Sequence, residues 1–128
     1  MHISERGYQL ERSSGQWDKG KAFDTFGPIG PYIVTKDEIK DVQNLNLELK
    51  LNGKVMQNSN TQNMIFGVTH LVSYLSYFMT LKPGDIIATG TPPGVGMGKN
   101  PQIFLKHGDE MKLKIDGLGQ QKQKVISN

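Results

Sequence analysis

A chain of 128 residues with 36% hydrophobic and 21% charged content is sized for about one domain with a core, able to bury roughly two-thirds of its unfolded surface. Fifteen Lys and Arg against 12 Asp and Glu leave a charge of +3. Its denser part, Lys112, Lys114, Lys122 and Lys124, reads as a solvated strand face and not as a nucleic-acid patch. The absence of cysteine excludes disulfides, thiolate catalysis and cysteine-held zinc, and no apolar run reaches the ~18 residues of a membrane span. A cytoplasmic protein with neither nucleic-acid nor membrane partners is expected.

Met1 to Leu10 holds Glu5, Arg6 and Gln9, and a polar stretch, Glu11 to Gly15, follows without an approach strand before it. Gln16 to Pro31 carries too many glycines and prolines for a helix and reads as an extended, loop-built segment. Its aromatics, Trp17, Phe23 and Phe26, either anchor that loop or wall a substrate. Tyr32-Ile33-Val34 reads as a short strand, and Thr35 and Glu38 as the N-cap and N3 of a single turn.

Leu45 to Leu51 alternates apolar and polar without a break and runs straight into Asn52-Gly53. That is the pattern of a half-buried strand entering a two-residue hairpin and returning through Lys54 to Gln57. Ser59 to Gln62 offers capping side chains, after which Ile65, Val68, Leu71 or Val72, Leu75 and Phe78 or Met79 recur at helical spacing. One amphipathic helix from Asn63 to Met79 is therefore predicted, with His70 off its apolar stripe.

Lys82-Pro83-Gly84 reads as a turn, Asp85 to Thr89 as a short buried strand, and the stretch to Gly98 as a loop dense in glycine and proline. In such a loop glycines let main-chain N–H groups approach a ligand, and Thr89 and Thr91 offer hydroxyls. No Gly-Lys-Ser/Thr closes it, which excludes a Walker-type phosphate loop. Ile103 to Asp109 reads as a short element and turn. Met111, Leu113 and Ile115 alternate with polar residues as a strand, Gly117 and Gly119 break it, and Gln121 to Ile126 returns as a last strand. One helix among many short strands makes residues 1–128 one mainly β (α+β) domain, a sandwich or rolled barrel with a single crossing helix.

Several runs together carry a resemblance: Ser4-Glu5-Arg6 with Gln9, Gly15-Gln16-Trp17 with Gly20-Lys21, Asp24-Thr25-Phe26, Gly30-Pro31, Met64-Ile65-Phe66, and Lys82 through Pro92. In this order they resemble the C-terminal catalytic domain of the fumarylacetoacetate hydrolase family, in the subgroup of ureidoglycolate lyases and diketo-acid hydrolases. The resemblance implies a β-roll, a Mg²⁺ or Mn²⁺ cofactor, a small 2-oxo acid or 1,3-diketone as substrate, and C–C cleavage, decarboxylation or isomerisation through an enolate. It places the catalytic lysine at Lys21, pocket residues at Arg6 and Gln9, and the substrate-carboxylate position at Gly90 and Thr91.

The family's Glu-x-Glu metal pair and His-Glu dyad have no counterpart here, and its third ligand, an Asp, falls on His2. The chain thus resembles the C-terminal part of such an enzyme. The resemblance implies a homodimer in the family and, for this chain, self-association or the want of an N-terminal half. A catalytically inactive remnant or non-catalytic module is the alternative reading.

Overall fold

The structure, a computed structural model, describes residues 1–127. It divides into two units, Met1–Ile33 and the remainder from Val34. The second is built on one antiparallel sheet of four strands, β1 (Asn46–Leu51), β2 (Lys54–Asn60), β3 (Glu110–Ile115) and β4 (Gly119–Lys124), in the order β2-β1-β3-β4.

The β1–β2 hairpin forms where the alternation ends at Asn52-Gly53. Both residues take positive φ, 49° and 81°, as a two-residue turn between twisted strands requires. Leu49 lies opposite Gln57 but Lys50 opposite Val55, so Met56 is an extra residue that bulges β2. Period two then sorts the faces: Leu47, Leu49, Leu51, Met111, Leu113 and Ile115 share one side, with Glu48, Lys50, Lys112 and Lys114 on the other. Lys112 and Lys122 are cross-strand neighbours that would repel. Glu110 bridges both, at 3.3 and 2.7 Å, and the lysine face is solvated as expected.

The turn is tied to β3 through Asn52. Its Nδ2 donates to Asp109 Oδ1 and its Oδ1 accepts from the Glu110 N–H, both at 2.9 Å. The bond from Asn52 first, and then the one from the Lys106 backbone, hold the Asp109 carboxyl below the ordinary carboxylate range. Such a group stabilises the fold fully above the unfolded pKa of ~3.9 and loses that contribution as pH falls through the lower folded value. Asn52→Ala removes the residue best suited to this backbone, at a cost of about 1–2 kcal/mol, and also deletes the bond that lowers Asp109. The urea midpoint of that variant should be lower at neutral pH and fall less steeply below about pH 4. An acid limb as steep as that of the parent chain would contradict the assignment.

Several predicted elements differ from what forms. The helix is shorter than Asn63 to Met79: α1 spans Val68–Ser76, preceded by a separate 3₁₀ turn, Thr61–Asn63, that Asn60 caps. The helix starts where it does because Gln43 Oε1 accepts from Val68 N at 2.9 Å, a cap supplied from 25 residues upstream. Its half-buried stripe is Val68, Leu71 and Leu75, while Phe66, His70, Tyr74 and Phe78 form a ladder of ring contacts on the exposed side.

Tyr32-Ile33-Val34 and Asp85 to Thr89 are not strands, and Ile33 and Ile86 are exposed. A strand needs a ladder partner, and among the described residues neither segment has one. The last strand is shifted two residues earlier, to Gly119–Lys124, because Gly117 at φ 72° and Gly119 at φ 82° make the turn and pairing resumes at once. Thr35 precedes a 3₁₀ turn, Lys36–Glu38, without capping it; its hydroxyl instead lowers the pKa of Asp37.

Among the described residues Met111 is the apolar side chain buried outright, at 6% exposure, while Ile65 stands 92% exposed. The chain exposes 9779 Å². Val72 of α1, Phe78 and Met79 just after it, and Ile86 are exposed apolar side chains. No helix among the described residues is long and apolar enough to cross a membrane.

Candidate functional site

The Met1–Ile33 unit assembles three of the residues singled out in the sequence. Ile3 N donates to Phe26 O at 2.9 Å and Glu5 N to Gly20 O at 2.8 Å, which lays the start of the chain along the later loop. The Glu5 carboxylate accepts from the N–H groups of Gly7 and Tyr8, starting a π-helical turn over Gly7–Glu11 that closes with Arg12 N donating to Gly7 O at 2.8 Å. Such wide turns are uncommon and concentrate at functional sites.

The turn drives Gln9 inward to 1% exposure, against Gly20. A Cβ on Gly20 would stand 2.5 Å from Gln9 Cβ and 2.6 Å from the Glu5 backbone carbonyl oxygen, so only glycine fits. Buried there, Gln9 Oε1 accepts from the Arg6 guanidinium. Lys21, directly after Gly20, is half-buried and its Nζ donates to Ser4 Oγ at 2.7 Å. Burial first, and then the nearby positive charge of Arg6, push the Lys21 ammonium below its ordinary pKa.

Arg6, Gln9 and Lys21 thus form one cluster, with two cations close enough to weigh on each other. It is suited to an anion. Ser4, which orients the lysine, was quoted in the sequence motif but carried no role of its own. Among the aromatics, Phe23 packs on Tyr8 and Phe26, with ring centres 5.6 and 5.2 Å away, and so anchors the loop, whereas Trp17 is 57% exposed.

Gly90 and Thr91 belong to the second unit. Gly90 takes φ 100° and Thr91 is exposed. Their loop rests on β2: the Gln57 amide donates to Thr91 Oγ1 and to the Pro92 carbonyl, both at 2.7 Å. Gly94, at φ 111°, comes so near the Met56 carbonyl oxygen that a Cβ there would overlap it, and Gly96 meets Ile103 O in the same way. Gln57 escaped the sequence reading as a site residue. Its signal was a polar side chain at an inward position of the return strand.

The acidic and histidine side chains present do not make a divalent-metal site. Among the described residues no three of His, Cys, Asp and Glu come together. His2 is exposed, and the Glu5 carboxylate is engaged by the N–H groups of Gly7 and Tyr8.

The sequence profile of fumarylacetoacetate (FAA) hydrolase C-terminal domains matches residues 1–126. The chain belongs to the fumarylacetoacetate hydrolase family. A hydrolase-named protein of Burkholderia cenocepacia is 59% identical over 124 residues, which are 96% of this chain and 44% of that one. Fumarylacetoacetate hydrolase from Exiguobacterium antarcticum superposes with a TM-score of 0.91 at 37% identity, over 98% of this chain and 44% of its own. Maleylpyruvate hydrolase from Sphingobium sp. SYK-6, solved with manganese(II) and pyruvate, superposes at a TM-score of 0.76 and 38% identity, over 84% of this chain and 38% of its own. The chain thus spans less than half the length of these relatives. The α+β fold read from its alternating strands is that of this family's C-terminal domains.

Proposed function

We propose that this chain supplies the anion- and enolate-holding part of a fumarylacetoacetate-hydrolase-type enzyme acting on a small 2-oxo acid or 1,3-diketone. The observation that carries this reading is the Arg6–Gln9–Lys21 cluster, two cations and a buried amide locked by Gly20. An enolate gathers negative charge on oxygen as it forms, and a fixed ammonium such as that of Lys21 stabilises the charge where it develops. Burial that lowers the lysine's pKa also eases delivery of its proton to that oxygen. In the first unit, Arg6 and Gln9 present donors to the substrate's carbonyl and carboxylate oxygens; in the second, taken by itself, Gly90 and Thr91 offer a backbone and a hydroxyl to a carboxylate. The pyruvate and manganese(II) in the Sphingobium relative support a 2-oxo acid and Mg²⁺ or Mn²⁺ as the chemistry served.

The residues present do not fit a divalent metal. Turnover waits on carboxylates from outside the described residues, brought by an upstream segment, a second copy or another chain. The same donor set favours a second reading, a non-catalytic module that keeps the family fold.

The two readings part in a version extended upstream by a relative's Glu-x-Glu segment, with Asp at position 2. Under the first, oxaloacetate or acylpyruvate turnover appears, and Lys21→Met lowers kcat by about 10²–10³ with KM changed only a few-fold. If Lys21→Met leaves kcat intact, the lysine is not the enolate partner; if no turnover appears at all, the module reading stands.

A further inference from the structure

We propose that Gln57 is a positioning residue for Thr91, turning that hydroxyl into an outward hydrogen-bond donor for a substrate carboxylate. The inference rests on Thr91 belonging to the carboxylate-binding wall, and goes beyond it by naming what aims the hydroxyl.

Gln57 lies on the apolar side of the sheet, opposite Leu49, and is only 8% exposed. A buried amide there must be satisfied, and both of its known contacts lie on the 90–96 loop. The Pro92 carbonyl can only accept, so the atom facing it is the amide nitrogen and not the oxygen. The same nitrogen stands 2.7 Å from Thr91 Oγ1, which must therefore accept as well.

A threonine hydroxyl has one proton and two lone pairs. With a lone pair taken from below by Gln57, the O–H is left to donate on the exposed side of the loop. A carboxylate needs a donor there. The bulge at Met56 and the glycine at 94 complete the arrangement, because they let the loop settle on β2 closely enough for one amide to reach both oxygens.

The experiment is a pyruvate titration of the ¹⁵N-labelled chain, followed by the side-chain NH₂ resonances of Gln57 and the backbone amides of the loop. On the unmutated chain the Gln57 NH₂ pair should shift together with the Thr91 amide, at the same half-saturation. A Gln57 pair that stays still while Thr91 moves would overturn the inference. Thr91→Val should weaken pyruvate about tenfold, the loss of one hydrogen bond to a charged group. Gln57→Met, similar in shape but without the amide, should weaken it by a similar factor, and the double variant should be no weaker than Thr91→Val alone, since Gln57 acts through that hydroxyl. Losses that multiply would make the two residues independent and defeat the proposal. If Thr91→Val weakens binding and Gln57→Met does not, the positioning role fails while the carboxylate wall stands. If pyruvate does not bind, or binds equally to Thr91→Val, the wall itself is wrong and the inference falls with it.

Discussion

Gly94→Ala is expected to unseat the Gly90–Gly98 loop. Glycine at φ 111° adopts a backbone that an L side chain resists, and the added Cβ would overlap the Met56 carbonyl oxygen. That oxygen sits at the bulge of β2, on backbone held between the paired residues Val55 and Gln57, and has little room to retreat. Strain and overlap together should cost on the order of 3 kcal/mol or more, a large share of the 5–15 kcal/mol that typically holds a domain. Gly84 is the control: its φ is 98°, yet a Cβ there would meet nothing within 4 Å. Gly84→Ala should therefore cost only the backbone strain, about 1–2 kcal/mol. Urea midpoints measured side by side separate the two effects, and equal shifts would show that the loop does not rest on β2 as described.

Asn52-Gly53 between two alternating runs specifies a hairpin by local chemistry alone, and the β1–β2 pair formed there. Met111, Leu113 and Ile115 likewise gave β3 by period two. Helical spacing over Asn63 to Met79 overreached because the start of α1 is set by Gln43, a distant residue whose side chain caps Val68. Asp85 to Thr89 has a strand's composition, but strand pairing is a property of two segments, and no partner lies beside it among the described residues.

In the candidate site, Arg6, Gln9 and Lys21 could be named because motif spacing carries over from relatives. Ser4 and Gln57 could not be given roles, since those consist of hydrogen bonds spanning 17 and 34 residues that no local pattern encodes. Gly20 stands between these cases: its place in the Gly20-Lys21 pair was visible, but the reason for it, close contact with Gln9, was not.

The second large effect expected is a gain of activity. Mg²⁺ and Mn²⁺ take about six hard oxygen ligands, of which one or two carboxylates usually come from protein. In this chain Glu5 is held by the Gly7 and Tyr8 amides, and His2 offers a borderline nitrogen on an exposed residue. Lys21 and Arg6 add repulsion toward a cation. Metal affinity should accordingly be weak in the chain as it stands and rise by several powers of ten once a Glu-x-Glu pair and Asp at position 2 are supplied.

The most direct measurement is a Mn²⁺ titration paired with oxaloacetate and acylpyruvate assays, run on the chain itself and on the extended version. The account predicts weak Mn²⁺ binding and no family-like turnover in the first, with both appearing in the second. Micromolar Mn²⁺ affinity together with turnover in the unextended chain would contradict it.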